Sequence, residues 1–229
     1  MKKEMILRNG QTVTIRSLAE NDLEEIMDLQ EKVIASLTVT SFLQPLSEEE
    51  FSFILNGNGS MIGAFHADRL IAFRAMLEPE IDEHHLGKDA GLPDSELPSV
   101  LYSEITNVDP EYRGNSLQRI LGEILMENVD TERHRYVFTT VAPFNIASLK
   151  DKFALGMHII SLEKKYGNLL RYTLMKDLRA TKKLGNLNVV VDMSDVMEQQ
   201  SLLKDGWIGI GIGLEEDDGT WKVKFQKNK

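Results

Sequence analysis

From Thr12 to Leu18 apolar and polar residues alternate, the period of a half-buried strand. The period then lengthens. Leu23, Ile26, Gln30 and Val33 recur on one side of a helix predicted over Asn21 to Leu37. A second, shorter helix is predicted from Ser47 to Leu55, opened by the spacing of a capping box and broken by Asn56-Gly57-Asn58-Gly59. Met61 to Phe65 and Leu70 to Leu77 read as a hairpin around Ala67-Asp68-Arg69. Glu78 to Pro98 follows neither period and reads as a long irregular insertion with three prolines.

The stretch Leu101 to Asp130 carries the most information. Strand-like alternation runs to Val108 and stops at Pro110, which lacks a donor N–H. Beyond the turn, Leu117, Ile120, Leu121, Ile124 and Leu125 give the apolar face of a helix placed at residues 113–130. Arg113 to Gln118 therefore stand where a helix begins. There unpaired N–H groups and the positive end of the macrodipole favour an anion. Gly114 permits close backbone approach, Asn115 tolerates left-handed dihedrals, and Arg113 and Arg119 add positive charge. The pattern is that of a phosphate or pyrophosphate cradle, although every strand-turn-helix also needs small polar residues at its turn.

Further along, a strand at Arg135 to Val141, a helix at Asn145 to Leu155, and strands at Met157 to Lys165 and Leu170 to Met175 complete one domain. Lys182-Lys183-Leu184-Gly185-Asn186 reads as a linker. Leu187 to Val191 is then a strand, and Ser194 to Lys204 is a helix ended by Gly206. Trp207 to Leu214 and Thr220 to Gln226 form a hairpin. Within it Gly209, Gly211 and Gly213 alternate with isoleucines, so another backbone or an aromatic ring is expected to pack on that face, either on the main domain or across a homodimer interface. The expected organisation is a domain over residues 1–180 and a small α+β extension over 187–229.

Composition narrows the function classes. Against 26 basic residues stand 36 acidic ones, a net charge of −10, which argues against nucleic acid or an anionic membrane as a general partner. The chain has no cysteine, which removes disulfides, thiolate metal sites and a cysteine nucleophile. The opening MKKEMILRNG lacks an apolar signal-peptide core and no run reaches transmembrane length, so a cytoplasmic protein is expected. His84-His85, flanked by Asp82 and Glu83, are the only hint of a metal. Neighbours in an irregular segment rarely converge on one ion, so no metal is expected.

Around the turn, Val108-Asp109-Pro110-Glu111-Tyr112 precedes Arg113-Gly114-Asn115-Ser116-Leu117-Gln118. This wording resembles the signature of the GNAT superfamily of acyl-CoA-dependent N-acyltransferases: Arg or Gln, two variable residues, Gly, one variable residue, then Gly or Ala. A second block, Thr140-Val141-Ala142-Pro143-Phe144-Asn145 with Ser148 and Leu155-Gly156-Met157, follows in the family's order, Met157 standing for the usual Phe. The resemblance spans roughly residues 11–178. It implies a mixed, mostly antiparallel central sheet flanked by helices, an α/β fold. The chain departs from the pattern at Ser116, where the family has Gly, and at Gln118, where it has Gly or Ala. Lys152 and its neighbour Phe153 stand where the family often has a Tyr that protonates the departing thiolate.

The resemblance further implies acetyl-CoA as co-substrate, without a metal. A primary amine, of a small molecule or a peptide, would attack the thioester directly in a ternary complex. A backbone N–H near Val108 would polarise the thioester. Residues 113–118 would hold the pyrophosphate, and Asn145 and Ser148 would line the pantetheine arm. Tyr102, Glu104, Thr106 and Val108 are expected on one strand face, and Glu104 is the expected general base. Tyr102 and Tyr166 are candidate acids but also ordinary packing aromatics. Lys152 is a candidate to stabilise the thiolate or a phosphate, but a solvated helix face is the expected place for it. The insertion's Glu78, Glu80, Asp82, Glu83, Asp89, Asp94 and Glu96 would favour a cationic acceptor or simply be solvated. Two other classes stay open: a non-catalytic acyl-CoA-binding module, and a scaffold that keeps only the fold.

Overall fold

The computed structural model describes residues 2–180, 187–217 and 219–227, so the predicted linker at 182–186 and Asp218 of the last hairpin lie outside the described residues. The fold is mixed α/β, with antiparallel strands in open sheets flanked by helices. The chain divides into two compact units, residues 1–79 with 101–130, and residues 80–100 with 131–229.

In the first unit five strands pair antiparallel in sequence order: β1 (Lys2–Ile6), β2 (Thr12–Ser17), β3 (Gly59–His66), β4 (Arg69–Leu77) and β5 (Val100–Val108). Strand β1 was not expected. Its residues are largely exposed, so no alternation betrays it, and pairing with β2 alone defines it. Helices α1 (Leu23–Ala35) and α2 (Glu48–Leu55) bury Ile26, Leu29, Val33, Phe51 and Ile54 against Phe65, Phe73 and Ile105 of the sheet. Phe51 meets Phe73 edge-on at 5.6 Å. The polar residue on the predicted apolar stripe of α1, Gln30, is buried without penalty, because its amide both donates to and accepts from the Leu46 backbone at 2.8 and 3.0 Å. The predicted capping box holds as well. Glu50 Oε2 accepts from Ser47 N, and Ser47 Oγ accepts from Glu50 N.

Helix α3 (Leu117–Glu127) packs on β3 and β4 and starts four residues later than the apolar spacing predicts. The reason lies in the backbone. Gly114 and Ser116 adopt φ of 82° and 62°, which no right-handed helix can include.

In the second unit β6 (Tyr136–Val141), β7 (His158–Lys165) and β8 (Leu169–Asp177) pair in the order β6-β8-β7. The C-terminal residues extend this sheet. β10 (Trp207–Leu214) pairs with β7 at Gly209 and Ile159, then β11 (Trp221–Lys227) and β9 (Asn188–Asp192) follow outward. Helix α4 (Ile146–Ala154) packs on β10, and α5 (Val196–Lys204) packs on β7 and β10. Gln199 of α5 is fully buried, accepting from the Tyr172 hydroxyl at 2.7 Å and donating to carbonyls of the β9–α5 turn. Of the three strand glycines, only Gly209 answers to packing, since a Cβ there would lie 2.9 Å from Ile159 Cβ. A Cβ at Gly211 or Gly213 would meet nothing within 4 Å.

Candidate active site

The candidate residues fall in both units. In the first, β5 carries Glu104 and Val108 into the turn. Pairing with β4 sets Val108 opposite Ala72, Asn107 opposite Phe73 and Thr106 opposite Arg74, but then Ser103 opposite Met76 and Tyr102 opposite Leu77. Glu104 and Ile105 thus stand together against Ala75, a β-bulge. Directly paired residues share a face, so Ser103, Thr106 and Val108 lie on the face of Arg74, while Tyr102 and Asn107 lie on the other. The single-face row expected from Tyr102 to Val108 is therefore broken. One extra residue advances the pleat by one position and reverses every side chain beyond it.

Glu104 occupies the bulge, half-buried, with the carboxylate of Glu50 near enough to act on it. Burial, and secondarily the negative charge of Glu50, push its carboxyl up to about 7. A carboxyl with that affinity for protons exchanges them readily near neutral pH.

The turn after Val108 is anchored from within. Asp109 N donates to Ile71 O at 2.9 Å. The Asp109 carboxylate accepts from Glu111 N at 3.0 Å and from Lys32 Nζ at 2.9 Å, with Arg69 Nη2 at 3.6 Å. Burial alone would raise this carboxyl; Lys32, the Glu111 N–H and Arg69 outweigh it and hold the group below the usual carboxylate range. Pro110 to Tyr112 form one 3-10 turn, and the buried Tyr112 places its hydroxyl 2.7 Å from His66 Nδ1.

The cradle itself spans Arg113 to Gln118. Asn115 and Leu117 are buried, Asn115 Nδ2 donating to Tyr112 O at 3.0 Å, so these two offer a ligand their backbone only. A Cβ at the exposed Gly114 would meet nothing within 4 Å, which leaves that side of the turn open. Ser116, in the left-handed region, precedes α3 without capping it, so its hydroxyl leaves the first-turn N–H groups available. These features fit an anion such as the pyrophosphate of coenzyme A. The arginines expected to serve it have protein partners here. Arg113 donates to Ser36 Oγ and Arg119 pairs with Glu123, each at 2.7 Å.

A further cation reaches the end of the cradle from β4. Arg74 of β4 is fully buried and donates to the backbone oxygen of Gln118, in the first turn of α3, and to Ser103 Oγ, both at 2.9 Å. Its signal was present: a lone guanidinium inside the apolar run Leu70-Ile71-Ala72-Phe73-Arg74-Ala75-Met76-Leu77.

In the second unit Asn145 N-caps α4, its Oδ1 accepting from Ser148 N at 3.3 Å. Phe144 before it has φ of 64° and donates its N–H to Met193 Sδ at 3.2 Å. Lys152 contradicts its expected place. It is buried, with its ammonium 3.3 Å from Asp151, because its side of α4 turns into the unit. Tyr166 is half exposed, with its hydroxyl 3.1 Å from Thr140 Oγ1, and Tyr102 in the first unit is half-buried.

The insertion is more ordered and less free than its composition suggests. Leu86–Ala90 and Asp94–Ser99 form 3-10 turns. Asp89 accepts from Lys165 Nζ and Thr173 Oγ1, and Glu96 accepts from the Tyr136 hydroxyl. Asp82 caps His84 N. Three of the seven acids are thus engaged, Asp82 within the insertion and Asp89 and Glu96 with strands β6 to β8. His85 is buried, with Nδ1 accepting from Gly87 N, and burial holds it below the ordinary imidazole range. Among the described residues no three His, Cys, Asp or Glu side chains group so as to hold a metal ion, and no helix is long and apolar enough to cross a membrane.

No family model matches the chain, and no curated protein matches it in sequence. Solved structures do match it in fold. The GNAT domain of S. lividans PAT is 18% identical and superposes with a TM-score of 0.57 over 77% of this chain and 97% of its own. The ribosomal-protein-S18-alanine N-acetyltransferase of Escherichia coli is 17% identical, with a TM-score of 0.55 over 76% of this chain and 98% of that one. For yncA of Salmonella typhimurium, solved with its cofactor acetyl-CoA, the values are 12%, 0.55, 74% and 96%. At these identities the likeness is one of fold.

Proposed function

From a chain that has the fold of the GNAT acetyltransferases, we propose an N-acyltransferase that moves an acetyl group from acetyl-CoA to a primary amine by direct transfer. The observation that carries this reading is Glu104, a carboxyl poised near 7 on a strand bulge, four residues before a turn built to receive an anion. Acetyl-CoA supplies the acetyl group as a thioester. Glu104, ionised, takes a proton from the incoming ammonium, directly or through a water, so that the free amine can attack. The backbone at Val108 donates to the thioester oxygen as charge grows there; collapse then breaks the C–S bond, and coenzyme A leaves as a thiolate that takes up the proton the attacking nitrogen loses. The N–H groups of residues 114–118, with Arg113, hold the pyrophosphate, and Asn145 and Ser148 are assigned to the pantetheine arm. A second reading rests on Lys152. A lysine, buried beside Asp151, stands where the resembling family has its hydroxyl acid, which favours a module that binds acyl-CoA without turnover.

Calorimetric titration with acetyl-CoA tests the premise. Micromolar binding by the wild type is expected, with Ser116→Gly binding equally or more tightly. No binding by either protein would overturn the cofactor assignment. Turnover across a panel of primary amines, lost in Glu104→Gln while acetyl-CoA still binds, separates the enzyme from the binding module.

A further inference from the structure

Resting on the acetyl-CoA reading above, we propose that Asn107 contacts the acetyl group, its side-chain amide donating to the thioester oxygen beside the Val108 N–H. Asn107 is fully buried near the end of β5, and among the described residues neither its Oδ1 nor its Nδ2 has a hydrogen-bond partner. A carboxamide that leaves water and bonds to nothing weakens the fold, which is why buried polar groups are nearly always satisfied. Gln30, the comparable amide of α1, shows the usual outcome, with both ends bonded to the Leu46 backbone. Asn107 keeps a donor and an acceptor idle in the interior, which points to a partner from outside the chain.

The position of Asn107 identifies that partner. Asn107 pairs with Phe73, and Phe73 packs with Phe51 of α2 and with Ile105, so the amide lies on the side of the sheet that α1 and α2 cover. Glu104, three residues earlier, feels the carboxylate of Glu50 on that same α2. The expected base and the idle amide thus share one side of one strand, at most roughly 10 Å apart along it. Asp109 N bonds back to Ile71 O of β4, and N–H directions alternate along a strand, so the Val108 N–H points away from β4. That N–H lies in the sheet plane, next to the Asn107 side chain, which stands perpendicular to it. Two donors then flank one place at the strand edge, as a developing oxyanion requires. When the amine nitrogen bonds to the acyl carbon, the carbonyl electron pair moves onto the oxygen and both donors hold the charge. The pair returns as the C–S bond breaks, and the thiolate takes up the proton the nitrogen loses. Because Asn107 is closed to solvent in the free protein, its packed neighbours must shift as the donor enters.

The test compares two ligands on the full chain by calorimetry. One is acetyl-CoA; the other is S-ethyl-coenzyme A, a thioether that keeps the two carbons and lacks the carbonyl oxygen. The wild type should bind acetyl-CoA about tenfold more tightly. In Asn107→Leu, which keeps the bulk and removes the amide, this preference should fall several-fold, with affinity for S-ethyl-coenzyme A unchanged. The variant should also withstand urea at least as well as the wild type, because it gives up no bond of the free protein. Asn107→Ala carries the test if Asn107→Leu does not fold. Parallel loss of both ligands, or an unchanged preference, would make Asn107 a structural residue and overturn the proposal. A wild type that binds neither ligand would instead defeat the acetyl-CoA reading itself, an outcome visible before any variant is made.

Discussion

Glu104 is where strand chemistry and function meet. An ordinary glutamate on a solvated strand would be ionised above pH 5 and a poor acceptor of protons near neutrality. The bulge turns Glu104 into a crowded position beside Glu50, and its carboxyl rises to about 7. We expect kcat/KM to climb with pH through about 7 as Glu104 ionises, and this limb to vanish in Glu104→Gln; a profile flat between pH 6 and 8 in the wild type would exclude Glu104 as the base. The same shift has a stability sign. The folded state holds this proton up to about 7, whereas the unfolded chain releases it near 4.5. Glu104 therefore weakens the fold as pH rises from 4.5 to 7, and Glu104→Gln should be the more stable protein at pH 8, by on the order of 1–3 kcal/mol in urea melts.

Among the elements, the C-terminal hairpin shows how a repeated residue can have unlike causes along one strand. Gly209 lies where β10 meets β7, and a Cβ there would press within 2.9 Å of Ile159. Gly209→Ala should cost about 1–3 kcal/mol by overpacking, read as a lower urea midpoint. Gly211→Ala adds a methyl to open space and should be neutral or slightly stabilising. Equal costs at both positions would mean that the pairing of β10 with β7 is not what demands glycine. The contrast also explains why the sequence pattern misleads. Three glycines at alternate positions look like one feature, but the bulge between Gly209 and Gly211 separates them.

Across the first unit, acid should dismantle what neutral pH holds together. Asp22 is kept below the usual carboxylate range by the Arg16 guanidinium, which outweighs its burial, and Asp109 by Lys32 and Arg69 against its own burial. Depressed folded-state values stabilise above the ordinary aspartate value and fail as pH falls through them. Asp109→Asn should thus cost about 2–4 kcal/mol at pH 7 and progressively less below pH 4, where the wild type loses the same interactions. A cost independent of pH would assign the role of Asp109 to its hydrogen bond with Glu111 N rather than to its charge.

The alternation of β2, the capping box of α2, the apolar stripe of α1 with its odd Gln30, and the turn from Val108 to Gln118 were all legible along the chain, because each is governed by residues within a few positions of one another. Local periodicity and local hydrogen bonding need no tertiary partner to declare themselves. The bulge at Glu104, the burial of Lys152, the bonds of Asp89 and Glu96 to Thr173 and Tyr136, and the reach of Arg74 to Gln118 were decided elsewhere. Each depends on how distant segments pack together: Arg74 and Gln118 lie 44 positions apart, and Asp89 and Thr173 lie 84. Register across a sheet is a long-range choice made by the whole core, so a carboxylate or guanidinium acquires its proton affinity and its partner only when that core has formed.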